Sequence, residues 1–268
     1  MTVLTHSELR HAALHWLREP DAAKKAAAVR QLAQAWSAGR LTLDPEINLA
    51  PPPDIPGHPE KPELVSPREV PQRGMNTREG RAALIHAMVH IEFNAINLAL
   101  DALWRFPALP RDYYTDWLRV ADEEALHFGL LSGYLGSLGF AYGDFPAHGG
   151  LWELALKTRH DVLARMALLP RTMEARGLDV TPGMKARLIQ AGEREIGPIM
   201  DVILRDEIGH VAIGNRWFHW LCAQRGLAPQ ETYDRLVAAH QAPVMRGPFN
   251  LDARRQAGFS EAELAELR

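Results

Sequence analysis

Four long stretches of the chain repeat apolar residues at every third or fourth position, the spacing of a helix that buries one face. They extend over about residues 77–105, 112–138, 151–176 and 193–225. In the first stretch Ile85, Met88 and Val89 belong to the buried face, Thr77 is the expected N-cap, and the sequence FPALP ends the helix. The pattern predicts an all-α protein in which residues 78–225 form a four-helix bundle.

The segments that flank these four stretches have a different character. Residues 6–18 and 21–38 predict two short amphipathic helices, which makes residues 1–39 an N-terminal helical pair. Residues 40–77 contain nine prolines, which forbid regular helix and predict an extended strap lying along the bundle. Residues 226–268 are expected to form a C-terminal helical extension, with helices at about 229–240 and 260–267.

The third of the four stretches contains a proline in its interior. Pro170 removes one backbone hydrogen bond and is expected to kink the helix one turn before Glu174. The sequence GLDVTPG is then expected to end this helix, and residues 183–191 to form only a short turn.

Charge, cysteine count and the length of apolar runs narrow the class of protein to which the chain can belong. A net charge of -3 and a pI near 6.5 argue against a general polyanion-binding surface, although they permit a localised basic patch. The single cysteine, Cys222, excludes an intramolecular disulfide and suits a reducing compartment. Residues 1–10 lack a basic start followed by an apolar core, and no apolar run is long enough to span a bilayer. We therefore expect a cytoplasmic protein without a membrane partner, either a monomer or a small homo-oligomer.

Two segments, DEEALHFGL and RDEIGHVAI, each contain a glutamate followed three residues later by a histidine. The pairs are Glu124 with His127 and Glu207 with His210. On a helix this spacing places both side chains on one face, so each segment offers a carboxylate and an imidazole to one point in space. This is a spacing typical of metal ligands.

Each pair is preceded at a nearly equal distance by another glutamate. Glu92 stands 32 residues before Glu124, and Glu174 stands 33 residues before Glu207. Two antiparallel helices with a short connection place equivalent depths of a bundle about 30 residues apart. The order Glu, Glu-x-x-His, Glu, Glu-x-x-His is the ligand set of a four-helix dinuclear carboxylate protein.

The same glutamates fall inside the apolar faces of their helices, which predicts that they are buried together. Ionised carboxylates in a core must be protonated, paired with cations or bound to metal. Four glutamates and two divalent cations balance in charge, and neutral imidazoles complete the coordination. We therefore predict a site for two metal ions.

These motifs resemble those of the ferritin-like di-iron carboxylate superfamily, over about residues 78–225. That superfamily includes the small subunits of ribonucleotide reductase, bacterial monooxygenase hydroxylases and a bacterial tRNA hydroxylase. The resemblance is greatest to a bacterial branch that lacks an assigned function. It implies six metal ligands: Glu92, Glu124, His127, Glu174, Glu207 and His210. It also implies that Glu123 and Asp206, which precede the two pairs, accept the other N–H of a ligand imidazole; exposed acids are the alternative.

The resemblance implies an enzyme that activates dioxygen at two iron ions, with manganese as the other candidate metal. We expect an oxidase or monooxygenase without a separate protein general base. The sequence does not identify its substrate or electron donor. The alternatives are ferritin-like iron oxidation and storage, peroxide disproportionation at two manganese ions, an RNA-modifying hydroxylase, and a helical module without metal. Arginines at 68, 73, 78 and 81 allow RNA as a partner, but such spacing is usual on a solvated helix face.

Three further histidines, His6, His11 and His15, are spaced to share one face of the first helix. Surface or packing positions are the commoner role for such residues. His90, two residues from Glu92, is rotated about 200° away and is expected to face elsewhere. Glu195 lies three turns before Glu207 and would at most line an entrance.

Overall fold

The computed structural model describes residues 6–242 and 245–267. Within these residues the chain is all-α, as predicted, and its β-type pairing is limited to two isolated bridges. The chain divides into two compact units, residues 1–150 and 151–268. The boundaries predicted for a bundle over 78–225 and for its flanking segments stay predictions.

The first unit consists mainly of four helices. They are α1 (Leu9–Leu17), α2 (Ala22–Ser37), α3 (Arg78–Arg105) and α4 (Arg111–Ser137). The long helices α3 and α4 pack along each other, α1 packs on α3, and α2 packs on α4. Helix α3 begins at the predicted cap, where the Thr77 hydroxyl accepts a hydrogen bond from the Gly80 N–H at 3.0 Å.

The proline-rich strap lies against the helices of this unit. The guanidinium of Arg10, which is fully buried, donates to the carbonyls of Pro45 and Ile47 in the strap and to that of Trp104 on α3. Buried Lys25 donates from Nζ to the Gly57 carbonyl at 2.7 Å. The proline-rich strap forms no helix, so its carbonyls need other hydrogen-bond donors. Arg10 and Lys25 donate to three of these carbonyls and thereby hold the strap against α1, α2 and α3.

Helix α3 is long and apolar enough, by composition alone, to cross a membrane. In the most apolar window of this helix, 78% of the residues are buried inside the protein. Such burial is typical of the core helix of a water-soluble domain.

The second unit contains more and shorter elements than the sequence predicts. They are α5 (Gly150–Lys157), α6 (Val162–Leu168), a π-helix (Leu169–Glu174), α7 (Ala175–Gln190), α8 (Ile196–Gln224), α9 (Pro229–Ala239), α10 (Leu251–Gln256) and α11 (Glu261–Ala265). Helices α9 and α11 confirm the two helices predicted for the C-terminal extension. The predicted connection between them includes residues 243 and 244, which lie outside the described residues, and it contains α10, which the sequence analysis missed.

The predicted single helix over 151–176 is wrong. The chain leaves the helical path after Lys157, and the carboxylate of Asp161 caps a new helix by accepting from the Leu163 N–H at 3.0 Å. The disturbance expected at Pro170 is confirmed, because the chain changes there from α-helix to π-helix. This change brings Glu174 to the junction of the π-helix with α7.

The predicted break at GLDVTPG is also wrong, because α7 continues through Pro182. A proline inside a helix leaves the carbonyl four residues earlier, here that of Leu178, without its backbone donor. The side-chain amide of Asn250 donates to this carbonyl at 3.2 Å. A residue far away in the sequence therefore supplies the missing hydrogen bond, and the helix survives.

Candidate metal site

Two neighbouring helices of the first unit bring three predicted ligands together. Glu92 lies on α3, and Glu124 and His127 lie one turn apart on α4. Glu92 is 5% exposed, and the other two residues are fully buried. The apolar faces that pair α3 with α4 carry these polar groups into the interior. We call these three residues the α3–α4 site.

The distances within the α3–α4 site are those of a ligand cluster. The Nδ1 atom of His127 lies 3.5 Å from Glu124 Oε2 and 3.8 Å from Glu92 Oε2. One ligand atom from each residue lies within 4.8 Å of the others. Two carboxylates and an imidazole in this arrangement can hold a divalent metal ion.

The electrostatics of the α3–α4 site show the cost of burying its carboxylates. Burial raises the pKa of Glu92 well above its ordinary range, and the charge of neighbouring Glu124 raises it further. Burial by itself lowers the pKa of His127, but the facing carboxylates of Glu124 and Glu92 outweigh this effect and raise it to about 11. The two carboxylates therefore favour positive charge at the His127 ring, which a proton or a metal ion can supply.

The second unit holds the other Glu-x-x-His pair on α8. The Nδ1 atom of His210 lies 3.7 Å from Glu207 Oε1, and the two residues are 0% and 9% exposed. A Cβ atom added at Gly177 on α7 would lie 4.0 Å from Glu207 Oε2, so the Glu207 carboxylate lies close to the backbone of α7. We call Glu207 and His210 the α8 pair.

Glu174 ends the π-helix of the same unit, and its Oε2 atom is buried. A π-helical turn widens the backbone and changes the direction of the side chains that follow it. Pro170 therefore lies in the π-helix that sets the direction of the Glu174 side chain.

The two acids that precede the Glu-x-x-His pairs are each paired with an arginine of their own helix. The Glu123 carboxylate accepts from Arg119 Nε at 2.9 Å, one turn earlier on α4. Asp206, which is 7% exposed, accepts from Arg205 Nε at 2.8 Å. The role predicted for Glu123 and Asp206, holding a ligand imidazole, stays a prediction.

A histidine–tyrosine network beside the α3–α4 site was not found from the sequence. His90 faces the loop after α4, where its Nδ1 atom lies 2.8 Å from the Tyr142 hydroxyl and its Nε2 atom 3.1 Å from the His148 carbonyl oxygen. Burial lowers the pKa of His86 to about 4, and its neutral ring accepts a hydrogen bond from the Gly143 N–H. The loop residues have no spacing relation to α3, so the sequence held no signal for this network.

Tyr142 and Phe128 also line a cavity of about 710 Å³ in the first unit. The cavity wall includes the N-terminus of α2 and strap residues 58–61. Phe128 lies one turn beyond Glu124 on α4, and its ring centre is 5.9 Å from that of Phe93, the neighbour of Glu92. The cavity therefore approaches the α3–α4 site, with aromatic rings between them.

Fold and site together define an all-α protein with a buried glutamate–histidine group suited to a metal ion. The family model described as "Protein of unknown function (DUF455)" matches residues 18–265, and the chain belongs to this family. A protein of Haemophilus influenzae, described as "Uncharacterized protein", is 49% identical over 231 residues, which are 84% of this chain and 80% of that protein. No solved structure matches the chain.

Proposed function

We propose that this protein is a cytoplasmic, ferritin-like dinuclear carboxylate enzyme that uses two iron ions to activate dioxygen, as an oxidase or monooxygenase of an organic substrate. The proposed ligands are Glu92, Glu124, His127, Glu174, Glu207 and His210. The α3–α4 site supplies half of this set, and Glu174 with the α8 pair supplies the other half.

The observation that carries the proposal is the burial of Glu92, Glu124 and His127 within 4.8 Å of one another. Hydrophobic packing of α3 on α4 would be stronger with apolar residues at these positions, since desolvating charged groups is costly. A divalent cation offsets that cost, which is the same cost that raises the pKa of the buried Glu92 carboxyl. A metal site explains why the core retains these residues.

The donor set fits iron or manganese. Carboxylate oxygens with one imidazole in each half form a hard, mixed O and N environment that suits these metals better than a thiolate-selecting metal. Each Glu-x-x-His pair presents its imidazole and carboxylate from one helical turn, which fixes the angle between the two donors. When bound, a pair of ferrous ions supplies the electrons to reduce dioxygen and an oxidant able to attack a C–H bond.

The cavity beside Phe128 and Tyr142 favours an organic substrate over simple iron storage. Its volume of about 710 Å³ is within the range of small-molecule sites. Phe128 and Tyr142 would contact an apolar part of the substrate, and Glu60 and Lys61 would lie near its polar groups. An iron-storage protein does not require such a cavity one turn from a metal ligand.

The proposal is tested by metal analysis of protein purified without oxygen, after expression in medium containing both iron and manganese. We expect about two ions per chain, predominantly iron, as in other dinuclear carboxylate bundles. Adding dioxygen to the ferrous protein should then produce new near-ultraviolet absorption together with oxygen consumption.

Protein that is nearly free of metal after this expression would contradict the proposal. Two manganese ions with oxygen release from hydrogen peroxide would indicate a peroxide-disproportionating enzyme instead. A particle of many subunits that takes up iron far above two ions per chain would indicate storage.

A further inference from the structure

Three histidines of the first unit, far from the α3–α4 site in the sequence, lie side by side at the protein surface. The ring centre of His6 is 5.4 Å from that of His15 and 5.9 Å from that of His11. His6 is exposed, and the side chain of His11 is 37% exposed. We call these residues the histidine cluster.

We propose that the histidine cluster binds one zinc ion through the imidazoles of His6, His11 and His15. The proposal is independent of the dinuclear carboxylate site.

Two of the ring-to-ring separations in the cluster are close to those of imidazoles that share one ion. His11 and His15 are four residues apart on α1, so their side chains project from the same face in successive turns. Because Zn–N bonds in a tetrahedral site are about 2.0–2.1 Å long, imidazoles that share one zinc ion have ring centres roughly 5 Å apart. The two measured separations exceed this value by less than 1 Å. The proposal requires these side chains, of which His6 is exposed and His11 and His15 are half-buried, to rotate so that their nitrogens meet at one ion.

A carboxylate already orients one of the three rings. Glu8 Oε2 lies 3.1 Å from His11 Nδ1 and also accepts from the His11 backbone N–H at 2.7 Å. A hydrogen bond from Nδ1–H to this carboxylate leaves the Nε2 lone pair available to a metal. Carboxylate–histidine–zinc arrangements use the same contact to set the tautomer of the ligand.

Arg18 and Lys24 place positive charge near His15, and neighbouring acids offset part of it. The two basic residues nearest His15 are each engaged by an acid: Arg18 Nη2 lies 2.7 Å from Asp54 Oδ2, and Lys24 Nζ is paired with Glu19.

Imidazole ligands suit zinc, nickel and copper, whereas carboxylate-rich sites suit iron and manganese. The two sites are therefore expected to differ in metal preference. A zinc ion here would attach His6, which precedes α1, to two successive turns of that helix.

The test is a zinc titration of the full-length, tag-free protein by calorimetry, compared with His15→Gln, His11→Gln and the control His160→Gln. His160 is exposed in the second unit and outside the cluster. We expect the first two variants to bind one zinc ion fewer per chain, or to bind it at least tenfold more weakly, and the control to match the wild type. Glu8→Gln should weaken the same event by about 10- to 100-fold, as expected for loss of an orienting carboxylate.

A Glu124→Ala protein separates this site from the proposed dinuclear centre, because it should keep the zinc ion that His15→Gln loses. Equal zinc binding by His15→Gln and His160→Gln would overturn the proposal. So would loss of the same ion in Glu124→Ala. Circular dichroism of each variant without zinc establishes that its fold is intact.

Discussion

At the scale of single residues, metal binding at the α3–α4 site requires the loss of a proton. The carboxylates of Glu124 and Glu92 raise the pKa of His127 to about 11, so this imidazole carries a proton at pH 7 when no metal is bound. A metal ion must displace this proton, since imidazole coordinates in its neutral form.

We therefore predict that binding of Mn²⁺ releases about one proton per chain near pH 7 and becomes tighter as the pH rises from 6 to 8. Manganese is the suitable probe because the histidine cluster prefers later transition metals. Calorimetry in two buffers with different ionisation enthalpies gives the number of protons. Affinity that stays constant between pH 6 and 8 would contradict the assigned protonation.

Sequence spacing predicts a site residue only where the relevant geometry is local. The i, i+3 spacing of Glu124 with His127 and of Glu207 with His210 is a local property of a helix, so it could be read directly. The contact between His90 and Tyr142 depends on how a loop folds back, and the spacing of two residues between His90 and Glu92 indicated only that His90 faces elsewhere.

At the scale of elements, the π-helix is held by close contact with α8. Gly214 on α8 faces Pro170, and a Cβ atom at this position would lie 2.4 Å from the Pro170 Cβ atom. Only glycine permits this approach without a shift of the backbone. The packing of α8 on the π-helix thus sets the position of the element that carries Glu174.

We predict that Gly214→Ala lowers the free energy of unfolding by about 1–3 kcal/mol, because the added methyl group overpacks a rigid contact. The matched control is Gly133→Ala on α4, where an added Cβ has no neighbour within 4 Å. This control should raise the free energy of unfolding by about 0.5–1 kcal/mol, since alanine favours helix over glycine. Urea unfolding measures both changes. Equal effects of the two substitutions would show that the contact of Gly214 with Pro170 is unimportant.

Element boundaries were predictable where the signal was local. Thr77 caps α3 as the sequence indicated, because an N-cap side chain bonds to a backbone N–H only a few residues away. Pro182 misled the prediction because its cost is offset by Asn250, a partner that cannot be identified from the surrounding residues. Helix α10, six residues long, depends on contacts such as that of Arg254 with Asp179, at 2.7 Å.

At the scale of the whole molecule, the question is whether the α3–α4 site and the α8 pair serve one dinuclear centre. The repeated ligand pattern predicts one centre, in which the ions are bridged by shared carboxylates. Loss of one ligand from either unit should then affect both ions. Two separate sites would instead lose metal independently.

We predict that Glu124→Ala and Glu207→Ala each reduce the bound iron from about two ions per chain to well below one. Glu195→Gln, an exposed acid before α8, is the control and should keep both ions. Elemental analysis of protein purified without oxygen measures the metal content. Retention of one full ion by each alanine variant would show two independent sites and contradict a shared centre.

The sequence by itself determined the all-α class, the N-cap of α3 at Thr77, the long helices α3, α4 and α8, and the candidate ligands, because helical spacing is a property of neighbouring residues. Only the tertiary structure decided that α7 passes through Pro182 and that the His90 ring meets the Tyr142 hydroxyl. Each of these depends on contacts between residues far apart in the chain, whose free energy comes from packing and from satisfying buried polar groups rather than from local propensity.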